Sequence, residues 1–250
     1  MMPPFETDLL FVAALTFLLA GFVKGVVGLG LPTVAMGLLT LVLAPAQAAS
    51  LLIVPSLVTN VWQLLAGPRF GTIAIRLWPM MTGIVVGTLA GTGFVRAGGA
   101  GWASISLGIA LITYAGLGLT AVRFSVPDAS ERWLGPLVGA ATGLVTGATG
   151  VFVIPAVPYL GALGLAKEDL IQALGLSFTV STLALAAALT EAGTLHGMAL
   201  GTSVAALVPA LVGMILGGWV RSRVSEVIFR RCFFLGLLTL GTHLVVRSLL

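Results

Sequence analysis

The sequence predicts an all-α polytopic membrane protein. It is built from two inverted-topology repeats of about five hydrophobic segments, each opening with a glycine-broken helical hairpin. Three observations lead there: the scarcity of charge, the length of the uncharged runs, and a glycine pattern that recurs at a fixed offset. Of 250 residues, 58% are hydrophobic and 8% charged, and the mean hydropathy is +1.15. A soluble chain is about a quarter charged, so these few charges cannot cover the surface of a water-soluble globule. The apolar content excludes disorder as well. No charged residue occurs from Gly25 to Pro68, Leu77 to Val95, Ala97 to Val122, Trp133 to Ala166, Leu170 to Thr190 or Ala192 to Val220. Each run matches or exceeds the ~20 residues a spanning helix needs. Barrel strands are shorter and alternate in polarity, and that alternation is absent.

Taken in order, the apolar segments lie near 9–28, 31–45, 48–66, 72–95, 102–122, 133–149, 151–163, 170–190, 198–220 and 228–248. The first two join through Gly28-Leu-Gly30-Leu-Pro32, and the sixth and seventh through Thr149-Gly150. Glycine weakens a helix and proline removes a backbone donor, so both joints are breaks. At membrane depth a break survives only where protein or an aqueous cavity satisfies the backbone. Arg69 and Arg76 divide the third segment from the fourth, Arg96 the fourth from the fifth, and Arg123 to Arg132 the halves. Asp128, Glu131 and Arg132 read as a solvated linker. Lys167, then Glu191 with His196, then Arg221 to Arg231 separate the remaining segments. Trp78, Trp102, Trp133 and Trp219 fall near segment ends, where interfacial belts place them. His243 reads as a packed or interfacial side chain. The lone Cys232 excludes an intrachain disulfide and a four-cysteine zinc site. Glu6 and Asp8, with no basic residue beside them, give no secretory leader.

The basic residues decide how the broken regions cross. If each counts as one crossing, six basic residues fall on one side and five on the other. If each is a hairpin of two segments, Arg69, Arg76, Arg123, Arg132, Lys167, Arg221, Arg223, Arg230 and Arg231 share one side, against Arg96 and Arg247. Nine against two is the bias of a cytoplasmic face. Ten segments with both termini outside the inner (plasma) membrane follow, whether the hairpins span fully or re-enter.

Gly21, Gly25 and Gly28 recur as Gly143, Gly147 and Gly150 at an offset of 122, as does Gly71-Thr72 as Gly193-Thr194. Pro79, Gly83 and Gly87 recur as Pro209, Gly213 and Gly217 at an offset of 130. The repeats run 1–124 and 133–250, joined by 125–132. Five segments per unit make the second enter from the opposite face. Such inverted repeats hold substrate near the midplane of secondary transporters.

The stretch Gly21-Phe-Val-Lys24-Gly25-Val-Val-Gly28-Leu-Gly30-Leu-Pro32 resembles the glycine-rich first hairpin of the TauE/SafE family of sulfite exporters, also called toluenesulfonate uptake permeases. Val54-Pro55-Ser56-Leu57-Val58-Thr59-Asn60-Val61-Trp62-Gln63 is similar to the next helix of a subgroup, and Thr142-Gly143 to Thr149-Gly150 to the repeated hairpin. The resemblance runs from about Leu9 to Arg247. It implies a permease for small sulfur- or carbon-containing anions that works without ATP hydrolysis.

The candidate substrate-binding residues are Lys24, Gly28, Gly30, Ser56, Asn60, Gln63, Thr149, Gly150, Ser177 and Ser181. Lys24 stands in an otherwise uncharged stretch, where a cation is costly and faces a cavity or a partner. It either meets an anion, snorkels, or pairs with Glu6 or Asp8. The glycine tips either bare backbone N–H groups to an anion or pack helices, and packing is the expectation for Gly21, Gly25, Gly143 and Gly147. Ser56, Thr59, Asn60 and Gln63 fall at i, i+3, i+4 and i+7, one helical face. Ser177 and Ser181 repeat the i, i+4 spacing. These polar side chains either meet anion oxygens or bond between helices, with Gln172 a weaker candidate. Glu191 and His196 are a loop or a proton-coupling pair. No metal site, cofactor or catalytic residue is expected, and the chain is not expected to be an enzyme. The expected partners are a small anion (sulfonate, sulfite or carboxylate), the bilayer, and H+ or Na+ as coupling ion, with no nucleic acid. The leading function is a secondary anion transporter working by alternating access. A passive channel and an intramembrane enzyme are the rivals; the enzyme lacks any usable Ser/His dyad or ligand cluster.

Overall fold

A computed structural model describes residues 4–98, 100–120, 125–195, 197–221 and 223–249. All of its regular elements are helices: α1 Pro4–Val27, α2 Leu31–Leu39, α3 Pro45–Leu65, α4 Phe70–Gly98, α5 Ala100–Thr120, α6 Asp128–Thr149, α7 Ala156–Ala162, α8 Lys167–Glu191, α9 Gly197–Arg221 and α10 Glu226–Leu249. Each of the ten expected segments has its helix. Seven of the ten (α1, α3, α4, α5, α8, α9 and α10) are long and apolar enough to cross a membrane. The chain is therefore a multi-pass membrane protein. The segments expected at 31–45 and 151–163 shrink to nine and seven helical residues. At 1.5 Å per residue these reach only about 10–14 Å, short of the ~30 Å hydrocarbon core. Helix α6 is long enough but opens on Asp128, Glu131 and Arg132.

Those opening residues correct the solvated-linker expectation. Asp128 already starts α6, and Glu131 accepts two bonds from Arg76 of α4, from Nε at 2.8 Å and Nη2 at 2.7 Å. The ion pair ties the start of the second half to the first.

Small residues decide which helices meet. Gly21 lies against Ala210 and Gly25 against Met214 and Gly217, so α1 and α9 run parallel with their backbones in contact. Gly139, Gly143 and Gly147 lie against Met80, Ile84 and Thr88, so α4 and α6 do the same. The packing expected for Gly21, Gly25, Gly143 and Gly147 is what these glycines do. The partners on α4 and α9 include Gly83, Gly87, Gly213 and Gly217, the other members of the recurring pattern. Two further pairs run antiparallel. Helix α5 meets α10 with Gly108 by Val245 and Gly118 by Phe234. Helix α3 meets α8 with Ser50 bonded to the Thr194 carbonyl, Asn60 to Thr182 and Gln172 to the Leu64 carbonyl.

Two local features shape the interior. Pro55 within α3 removes the donor that the Leu51 carbonyl needs. Ser203 of α9 repairs this: its hydroxyl donates to Leu51 O at 2.8 Å and accepts from Val54 N at 3.0 Å. Helix α1 ends where Gly28 takes φ 82° and Gly30 φ 100°, values open to glycine at little cost. The Gly28 N–H still reaches back to Lys24 O at 2.7 Å, and Gly150 repeats the closure on Thr146 O at 2.8 Å. The four tryptophans expected at segment ends, Trp78, Trp102, Trp133 and Trp219, are all exposed.

Candidate functional site

One large cavity, of about 1080 Å³, opens among α1, α3, α5, α7, α8, α9 and α10. Its wall is largely apolar, with Leu29, Tyr114, Leu117, Leu174 and Phe234 prominent. Among the described residues, Lys24, Lys167, Arg221 and Arg230 face it, and no Asp or Glu does. Lys167, Arg221 and Arg230 are exposed, whereas Lys24 is 5% exposed. The depth follows from the helices. Lys24 bonds α3 beside Asn60, which meets Thr182 of α8. Lys167 stands at the other end of the cavity wall, fifteen residues before Thr182 on α8, or about 22 Å along that axis. The cavity is a funnel with three cations at its rim and one at its floor.

The floor is built around Lys24. Its ammonium donates to Thr59 Oγ1 at 3.0 Å and to Asn60 Oδ1. Thr59 in turn donates to Pro55 O at 2.8 Å. Among the described residues the ion pairs are Arg69–Asp169 and Arg76–Glu131, so Lys24 has no carboxylate partner. Of the alternatives for this lysine, snorkelling conflicts with its burial. The side chains of Glu6 and Asp8, the other alternative, lie outside the described residues. An ammonium has three N–H groups; two are engaged, and the cavity is where the third can act.

The expected site residues do not all gather there. Lys24, Gly28 and Gln63 line the cavity, with Gln63 also donating to Ile171 O at 3.2 Å. Asn60 stands immediately behind Lys24, fully buried, and donates to Thr182 Oγ1 at 3.4 Å. Gly30 is buried away from the cavity against Phe233 and Val23. Thr149 closes the turn at the second break, donating to Val145 O at 2.7 Å and accepting from Val151 N at 3.1 Å. Gly150 packs on Met36, and neither lines the cavity; the second half contributes α7 instead, through Val157, Pro158, Gly161 and Ala162. Ser56, Ser177 and Ser181 are buried, and their hydroxyls have no partner among the described residues. Glu191 is exposed at the end of α8, and His196 lies outside the described residues.

Gln172 has a structural task. Its Nε2 donates to Leu64 O at 2.8 Å and Gly67 O at 2.7 Å, and its Oε1 accepts from Arg69 N at 3.0 Å. One buried side chain thus satisfies three backbone groups of the α3–α4 turn. Gln172→Ala leaves them unmade, and stability should fall by about 2 kcal/mol or more. Thermal unfolding in detergent reads the loss, and an unchanged midpoint would refute the clamp.

Sequence reasoning missed Thr59 as a site residue, though it stood in the polar stripe. It also missed Tyr114 and the rim cations. Lys167, Arg221 and Arg230 belong to three different loops or helix ends, and no spacing links them. The one signal was that all three fall on the nine-residue side of the charge count.

The family model described as Sulfite exporter TauE/SafE matches residues 13–244. Comparison with curated proteins and with solved structures gives no match. The match covers nearly the whole chain, including the cavity, both breaks and all or most of each of the seven membrane-length helices. The chain belongs to the sulfite exporter TauE/SafE family of membrane transporters.

Proposed function

We propose that this protein is a secondary transporter for small anions of the sulfite and sulfonate type, binding them at the floor of the funnel and working by alternating access. The observation that carries this reading is Lys24, a buried cation with neutral neighbours and no carboxylate. A lysine near the centre of a membrane costs about 3 kcal/mol. Anion oxygens arriving at its free N–H offset that cost, with Thr59, Gly28 and Gln63 in reach of the same cavity. The family's name supports sulfur oxyanions as the substrate class. The other charges agree: among the described residues the rim holds three cations and no acid, which raises the local concentration of anions.

The inverted-repeat reading (1–124 and 133–250) draws support from helix directions. In an eight-crossing chain α3 and α8 run the same way, as do α5 and α10. In a ten-segment chain with an odd number per half they run oppositely, as the contacts have them. Asn60 and Thr182, 122 residues apart, also bond to each other, as residues on a two-fold axis do. With basic residues inside, the funnel opens to the cytoplasm of the inner membrane and both termini lie outside. A carrier fits better than a channel, because the wall closes behind Lys24 on buried Asn60 and Thr182.

The test is uptake and efflux of labelled sulfite, taurine, sulfoacetate and simple carboxylates in proteoliposomes. Saturable movement of at least one is expected. No movement under any ion gradient would sink the proposal, and flux that never saturates would favour a channel. The rim makes a separate prediction. Arg221→Gln with Arg230→Gln should raise the apparent KM about tenfold at low ionic strength, and the difference should vanish at high salt. A salt-independent difference would mean the rim binds rather than steers.

A further inference from the structure

The two halves are alike in backbone and unlike in charge, and that difference points to a second ligand. The inference rests on the inverted-repeat reading above. At an offset of 122, Thr146 stands for Lys24, Ser181 for Thr59 and Thr182 for Asn60. Both sets sit at a break of the same form: α1 and α6 end by the same backbone closure onto a glycine of positive φ. In the first half the Lys24 ammonium fills the space beside Thr59 and Asn60. In the second half Thr146 turns its hydroxyl back to Thr142 O at 2.7 Å.

Two observations bear on the corresponding place in the second half. Ser177 and Ser181, on successive turns of α8, are 0% exposed, and their hydroxyls lack partners among the described residues. The buried threonines Thr88, Thr142, Thr179 and Thr182 return their hydroxyls to a carbonyl one turn back, at 2.7–2.8 Å; Ser177 and Ser181, like Thr33 and Ser56, do not. An unmade bond at such depth costs about 1–3 kcal/mol. In addition, α1 carries Lys24 in its last turn, while α6 carries no basic residue in its own. A helix C-terminus is the negative end of the macrodipole and favours a cation. In transporters with discontinuous helices, unwound backbone carbonyls and half-helix C-terminal ends coordinate sodium, and a serine hydroxyl offers an oxygen ligand beside them.

We propose that a sodium ion binds between the C-terminal turn of α6 and Ser177 and Ser181 of α8, taking in the second half the place the Lys24 ammonium takes in the first. The substrate anion then meets one fixed and one diffusible positive charge, and its transport depends on sodium.

The experiment has two readouts. In proteoliposomes, replacing sodium with choline should lower anion uptake at least about tenfold. Ser181→Ala should raise the half-saturating sodium concentration about tenfold, and Ser181→Thr, which keeps the hydroxyl, should restore it. Thr146→Lys supplies the missing ammonium and should make uptake indifferent to sodium. The second readout is thermal unfolding of the detergent-solubilised protein without substrate. Sodium gluconate should raise the Tm relative to choline gluconate, and Ser177→Ala with Ser181→Ala should abolish that rise. Equal uptake in choline with a sodium-indifferent Tm overturns the sodium site and leaves the anion reading standing. A sodium-dependent Tm in a protein that moves no anion does the reverse. A sodium effect that survives the double serine variant overturns the placement.

Discussion

Lys24→Met should weaken anion binding on the order of 100-fold, while the protein still folds. The two halves of this expectation have different causes. A hydrogen bond to a charged group is worth about 1.5–3 kcal/mol, or roughly ten- to 150-fold in affinity, and Lys24 is the one cation at the funnel floor. Removing it also removes an uncompensated buried charge, which favours the folded state. Against this, Thr59 and Asn60 lose a donor, which costs about 1–3 kcal/mol for a buried acceptor left unmade. These terms oppose each other, so the unfolding midpoint should move little. Binding is read by titration calorimetry or substrate-protected unfolding, and folding by size-exclusion elution and Tm. Unchanged affinity would reduce Lys24 to an anchor. A variant that fails to fold would show that the ammonium is structural.

Gly143→Val should prevent assembly of the α4–α6 pair, with a loss of about 3 kcal/mol or more. A Cβ at Gly143 meets Thr88 N at 2.6 Å and Gly87 C at 2.8 Å, both backbone. Backbone cannot rotate away as a side chain does, so the helices must separate along their length. Gly116 and Gly236 have open space where a Cβ would stand. Gly116→Ala and Gly236→Ala should therefore be tolerated, and each should gain up to about 1 kcal/mol in helix propensity. The yield of monodisperse protein and its Tm compare the sets. Equal behaviour of Gly143→Val and Gly236→Ala would refute the close-contact account.

Much of this was legible in the residues, and the exceptions have physical reasons. Uncharged runs mark helices because burial in lipid demands internal hydrogen bonding, and all ten appeared in place. Lys24 was legible because one charge among apolar neighbours needs an explanation. The polar stripe of α3 was only half legible. Helical spacing puts Ser56, Thr59, Asn60 and Gln63 on one face, but the face is wide enough to divide. Thr59 and Gln63 reach the cavity, Asn60 reaches α8, and Ser56 is buried without a partner. Thr149 has a local use, closing the turn on Val151 N, that a motif alone does not distinguish from a site role. The rim was invisible because the start of α8, the end of α9 and the first turns of α10 meet there only after folding.

The glycine contacts also set an order of events during synthesis. Helix α1 emerges first, yet its closest backbone partner, α9, contains Ala210 and follows about 190 residues later. At translation rates of about 5–20 residues per second, α1 waits some 10–40 s in the bilayer with Gly21 and Gly25 uncovered. Helix α4 waits less, because α6 follows it after α5 alone. The α4–α6 seam can therefore close while the ribosome is still making the rest, and the α1–α9 seam closes near the end. A ribosome stalled before α9 leaves a chain whose first helix has its α3 bonds through Lys24 but lacks its closest backbone partner.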